Sequence, residues 1–173
     1  VTAIIGVRLN RDITRLGNEE NAQIAQARAA ELGKLLDSYY WQLRVISAQD
    51  FLVSGDKVAA EDLMLKVMIK DVSPDVNASL VVWSDGRAKT AAGTYVNVAD
   101  RGYFKAVFTE KKDYAIGDVA ISKSINEPTV MLAKAIKASD GSTRGLVAFE
   151  IKMSTLSAIA SSIKLGSTGY GWI

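Results

Sequence analysis

Cysteine and histidine are both missing from this sequence, and proline occurs only twice. Without them there is no thiol nucleophile, no Cys/His zinc site, no imidazole acid–base group and no Ser-His-Asp triad. Carboxylate and lysine chemistry remain open. No run of one charge sign stands out either: 21 Lys+Arg face 19 Asp+Glu, interspersed, for a net charge of +2. A nucleic-acid surface needs a basic stripe, and none is present. Long apolar runs are also lacking. The opening Val-Thr-Ala-Ile-Ile-Gly-Val ends at Arg8, far short of the roughly 20 residues that cross a bilayer.

What is present is the composition of a folded domain, 49% hydrophobic and 23% charged. Between Asn18 and Asp50 there is no proline and one glycine, and apolar residues recur at Leu32, Leu36, Tyr39, Leu43 and Ile46. That alternating four-and-three spacing predicts a long amphipathic helix with a heptad seam over 18–53. Ser54-Gly55-Asp56 interrupts it and caps a second helix over 57–70, expected to bury Val58, Leu63, Met64, Val67 and Met68. Residues 71–77 read as a loop.

From Leu80 the period changes to that of strands. Residues 80–83, 88–94, 114–121, 129–136 and 144–151 are expected to be extended, with tight turns at Ser84-Asp85-Gly86-Arg87 and Ser139-Asp140-Gly141-Ser142. Asp100 is placed to cap a short helix carrying Tyr103, Phe104, Val107 and Phe108, and a last helix is expected over 154–163. Hairpin connections make the sheet antiparallel, so the class is α+β. The last two strands are apolar at nearly every position and must be covered on both faces, one of them by the long helix.

Two places could carry chemistry. Glu150 and Lys134 each interrupt an otherwise apolar strand, and a buried charge needs a partner, a wet pocket or an edge. Glu150 therefore either lies near a strand end or points into a cavity. Asp100-Arg101-Gly102-Tyr103-Phe104 is the second place. Arginine suits a bidentate grip on a carboxylate, and adjacent aromatics can wall a pocket. The same segment also reads as a capped helix with core aromatics.

These residues resemble a known family. Asp100-Arg101-Gly102-Tyr103-Phe104-Lys105-Ala106 is similar to the D-R-x-Y-F-K-A segment of double Cache sensor domains, the extracytoplasmic parts of chemoreceptors and sensor kinases. Gly117 to Ser124, Glu127-Pro128-Thr129-Val130, Ala133-Lys134-Ala135-Ile136, Asp140-Gly141 and the strand through Ile151 follow in the same order. The resemblance implies a long helix packed on a PAS-like antiparallel sheet. It implies the end of a transmembrane helix and juxtamembrane segment at 1–17, a stalk helix at 18–53, a membrane-distal ligand-binding module at 54–163 and the start of a membrane-proximal module at 164–173. It further implies a small ligand, an amino acid or organic acid, with Arg101 holding a carboxylate beside Tyr103 and Phe104, and Glu150 holding an amine. Glu150 stands where that pattern has Asp, and Tyr103-Phe104 where it has Trp-Tyr.

Loops around Tyr95 and Tyr114 are expected to close the cleft, and Asp118 is expected among the ligand-binding residues. No cofactor or metal is expected, and the heptad seam suggests a homodimer through the stalk. Two rival readings remain: a hydrolase using Asp118 and Glu150 as an acid pair, and a partner-binding module without a small ligand.

Overall fold

The computed structural model describes residues 2–65, 76–90, 93–123, 125–161, 164–165 and 169–170. Two compact units divide the chain, Val1–Leu36 with Leu156–Ile173, and Asp37–Thr155. The sheet and everything that bears on the site lie in the second.

Helix α1 runs over Thr2–Ser47, so it begins well before the expected Asn18 and stops before 53. Arg44 sits in its last turn, where a cation complements the helix dipole. A separate turn of helix, α2 (Asp50–Val53), follows. The seam works as the spacing predicts in its last three members: Tyr39, Leu43 and Ile46 are buried. Tyr39 meets Phe149 edge-on at 6.2 Å between ring centroids. Among the described residues no helix is long and apolar enough to cross a membrane.

Helix α3 (Lys57–Leu63) is capped as expected, with the Asp56 side chain accepting from the Ala59 N–H at 2.9 Å. Its inward face differs from the expected one. Val58 is 55% exposed and Leu63 39%, while Ala60, Glu61 and Met64 are buried. Glu61 turns the helix: its carboxylate accepts from Trp83 Nε1 at 2.7 Å and from the Tyr95 hydroxyl at 2.5 Å. Val67, Met68 and most of the expected 71–77 loop lie outside the described residues.

Nine strands are described: β1 (Val76–Trp83), β2 (Arg87–Lys89), β3 (Tyr95–Asn97), β4 (Tyr114–Ile116), β5 (Ala120–Ile121), β6 (Pro128–Lys137), β7 (Thr143–Lys152), and the short pair β8 (Lys164–Leu165) and β9 (Gly169–Tyr170). The main sheet is antiparallel in the order β3-β2-β1-β7-β6-β4, with β5 also on β6. Both Asp-Gly turns form. Gly86 adopts φ +80° and donates to the Trp83 carbonyl, and Gly141 donates to that of Ala138. Helices α4 (Gly102–Phe108) and α5 (Met153–Ser161) complete the set.

Three expected elements come out differently. The 88–94 return strand is short, and a further strand, β3, pairs back on it after a turn closed by Thr90 N–H to the Thr94 carbonyl. The 114–121 strand is split: between the pairs Ile116↔Leu132 and Ala120↔Thr129, residues 117–119 oppose only 130–131. That extra residue is a bulge. Gly117 opens the bulge and lets the Tyr103 ring come close, since a Cβ there would lie 3.2 Å from it. Helix α4 starts at Arg101 without a side-chain cap, since the Asp100 carboxylate accepts instead from Lys123 Nζ at 2.8 Å.

Side chains alternate across strands, so the register sorts the sheet into two faces. Leu132, Phe149 and Val147 lie on the α1 face. Met131, Ala133, Ala148 and Glu150 lie on the other. That other face, with Leu80, Val82, Ala88 and Leu146, packs beneath Tyr103, Phe104 and Val107 of α4 in a single apolar cluster.

Candidate functional site

The α4 face of the sheet does not close completely. A cavity of about 230 Å³ remains, with apolar walls from Leu80, Val96, Val98 and Met131, and with Arg101, Tyr103, Asp118, Lys123, Thr129 and Glu150 supplying polar groups. Asp100, Gly102, Thr90 and the 120–122 segment complete the lining.

Glu150 is 3% exposed. Strand β7 presents it to the α4 face, opposite Met131 on β6 and Ala78 on β1. Its carboxylate accepts from Asn77 Nδ2 at 2.8 Å and from Thr129 Oγ1 at 3.4 Å. Asn77 reaches it through a second bulge. Val76 pairs with Ile151 and Ala78 with Glu150, so Asn77 is the extra residue in β1. Neutral donors thus hold a carboxylate in place inside the protein, as a buried charge requires. Lys134, the other charge in an apolar strand, lies on the opposite face and reaches Asp113 at 2.7 Å by the sheet edge. The two do not pair.

Arg101 precedes α4, and its Nη2 donates to the Ile121 carbonyl at 3.0 Å. Tyr103, two residues on, is 5% exposed. Burial is the main reason its phenol is held well above the ordinary tyrosine range; the nearby Arg101 charge pulls it down, and Glu150 and Asp100 push it up. The Tyr103 hydroxyl therefore remains a donor at any physiological pH. Lys123 donates to the Asn97 carbonyl at 2.7 Å and to Asp100 Oδ1 at 2.8 Å, and this hydrogen bond holds the Asp100 carboxyl below its usual range. Among the described residues no cluster of three or more metal-ligating side chains could hold a metal ion.

Four of the seven residues singled out in the sequence line this cavity together: Arg101, Tyr103, Asp118 and Glu150. The other three are placed elsewhere. In β3 Val96 faces the cavity, so its neighbour Tyr95 turns to the other side of the sheet, where its hydroxyl donates to Glu61. Hydrogen bonding to that carboxylate raises the Tyr95 phenol above its usual range. In β4 Ala115 joins the apolar cluster, and Tyr114 packs instead on Tyr40 of α1 at 4.8 Å. Phe104 is buried in the cluster, stacked on Phe108 at 4.5 Å. Lys123, Asn77 and Thr129 were not singled out. Asn77 and Lys123 have ordinary surface composition, and Thr129 suits any strand; only the register and the bulges bring them here.

The fold, an antiparallel sheet backed by a helix, is similar to that of ligand-binding domains of bacterial chemoreceptors. The ligand-binding domain of the Pseudomonas fluorescens chemoreceptor CtaA, solved in complex with L-valine, superposes with a TM-score of 0.68 at 16% identity, covering 90% of this chain and 68% of that one. The domain of the Pseudomonas aeruginosa PAO1 amino acid chemoreceptor PctB in complex with L-Gln gives 0.67 at 15%, covering 86% and 60%. An extracellular ligand binding receptor from Desulfohalobium retbaense DSM5692 gives 0.67 at 11%, covering 81% and 26%. The chain spans only 57% to 68% of the CtaA domains. No family model and no curated protein matches the sequence. At these identities the likeness establishes the fold, which is the one the Asp100 to Ala106 resemblance implies.

Proposed function

We propose that this chain is the ligand-sensing part of a membrane receptor of the chemoreceptor or sensor-kinase kind, acting outside the cytoplasm and without catalysis. Its ligand is a small amino acid or organic acid held in the α4 cavity. One observation carries the reading: Arg101 and Glu150, far apart in sequence, line one small cavity in a fold shared with amino-acid chemoreceptor domains. Arg101 supplies a fork for a carboxylate, the Tyr103 hydroxyl a further donor, and Glu150 an acceptor for an amine. Mostly apolar walls with a few convergent polar groups suit a metabolite of that size. Ligand binding shifts a signalling equilibrium only by its differential affinity for the two states. The α4 face would sense the ligand, and the sheet would pass the change to α1 on its far side.

A homodimer through α1 belongs to the same reading. Tyr39, Leu43 and Ile46 are used against the sheet, so any partner surface on this stretch must be a different one. Trp41 and Val45, one turn apart and more than half exposed, support such a surface.

Thermal unfolding against a panel of amino acids and organic acids tests the ligand. A binder at 100 times its dissociation constant adds about 2.7 kcal/mol of stability. Arg101→Ala is expected to abolish the shift and leave the unliganded unfolding temperature within a few degrees. No shift with any compound favours a partner-binding module. Unchanged binding by Arg101→Ala rejects the site. Turnover of ester or glycoside substrates that vanishes in Glu150→Gln would make the Asp118 and Glu150 pair catalytic instead.

A further inference from the structure

The cavity is bordered on one side by the 117–123 segment, which backbone bonds tie near its two ends, Gly117 N–H to the Met131 carbonyl and Ser122 N–H to that of Glu127. Its strand β5 contributes two residues, and one of them pairs with Pro128, which has no N–H to give to the ladder. Val119 and Ile121 each leave more than half their surface in solvent, so little apolar burial fixes the segment. Two side-chain ties cross to the α4 wall, in opposite directions. Arg101 donates from that wall to the Ile121 carbonyl, and Lys123 donates back to Asn97 and Asp100.

We propose that Lys123 is a positioning residue that clasps the 117–123 segment over the cavity, with Arg101 as the reciprocal half of the clasp. Both cations line the cavity, so the clasp is part of its wall. Arg101 has a double use. A ligand carboxylate that draws the guanidinium off the Ile121 carbonyl would leave Lys123 to hold the segment. Lys123 thereby sets how often the cavity opens, without needing to touch the ligand. This rests on the cavity being the ligand site, but its test does not involve a ligand.

The test is amide hydrogen exchange on the unliganded chain. In Lys123→Met, amides of 118–122 are expected to exchange about three- to tenfold faster, the range for losing one partly exposed charge-assisted pair and its companion bond. Amides of β6 and β7 at 131–136 and 145–151 should hold their parent rates. Lys123→Arg keeps the charge and donors and should restore protection. Asp100→Asn should give a smaller acceleration, because the bond to the Asn97 carbonyl survives. Unchanged exchange at 118–122 in Lys123→Met overturns the proposal, as does equal acceleration in β6 and β7, or failure of the arginine variant to restore protection. A failed ligand screen is a separate result: it counts against the ligand site, while the exchange rates alone decide the clasp.

Discussion

The two faces of the central sheet are built from the same strands by opposite rules. On the α1 face Leu132, Ile136, Val147, Phe149 and Ile151 are all fully buried, large side chains that fill the space beneath Tyr39 and its helix. On the α4 face of the same strands Ala133, Ala135 and Ala148 stand between Met131 and Leu146, and Glu150 follows. Alanines leave room for the aromatics of α4, and toward the Glu150 end that room becomes the cavity. The bulges at Asn77 and at 117–119 border this end; a third, at Arg144, lies at the other end of β7. The close-packed face carries stability, and the face lined by smaller side chains leaves room for the cavity and its polar groups. Even the packed face has one flaw: Ser79 Oγ is buried without a hydrogen-bond partner among the described residues, opposite Phe149.

Adjacent residues of β7 make that contrast testable. Phe149→Ala removes the largest buried side chain of that strand and is expected to cost about 3–5 kcal/mol in chemical denaturation. Glu150→Gln, one residue on and facing the other way, should stay within about 1 kcal/mol of the parent, since the Gln carbonyl can still accept from Asn77 or Thr129. Its effect should appear in ligand affinity instead. If Glu150→Gln destabilised as much as Phe149→Ala, the α4 face would be core like the other. Asn77→Ala falls between the two. It removes a donor from a buried carboxylate, and a loss of about 1–3 kcal/mol is expected, measured by the same denaturation curve. A loss below about 0.3 kcal/mol would mean that Asn77 does not hold Glu150.

Why composition marks Arg101 and Glu150, which line the cavity, while Tyr95 and Tyr114 lie away from it, follows from the same geometry. A charge within an apolar strand, or an Arg ahead of an aromatic helix, announces itself by composition. The long strands β6 and β7, the Asp-Gly turns and the helix seam are legible for similar reasons, because each rests on a period or a turn chemistry local to its residues. Which side of a strand a residue faces is not local. It depends on register, and a shift of one residue exchanges the faces. Strand β3 escapes notice because only three residues pair, behind a glycine turn at Gly93, so Tyr95 is read as loop. The bulge at 117–119 similarly hides the split of β4 from β5, and with it the place of Asp118 and Lys123.

Tyr95 gives the mildest test of the two faces, because the same side chain is assigned to a different role by sequence and by structure. At 43% exposure it packs little, and its main tie is the hydroxyl donated to Glu61, which also accepts from Trp83. Tyr95→Phe removes that hydroxyl and keeps the ring, over which the Arg87 guanidinium lies at 4.6 Å. The expected cost is about 1 kcal/mol, the scale of one hydrogen bond to a charged group in a partly exposed place. Ligand affinity should not change, since Val96 rather than Tyr95 lines the cavity. Glu61→Gln should lower stability in the same direction, and the double variant should fall short of the sum of the single losses, as coupled partners do. A fall in ligand affinity in Tyr95→Phe, with stability intact, would return Tyr95 to the cavity and reverse the sidedness assigned to β3.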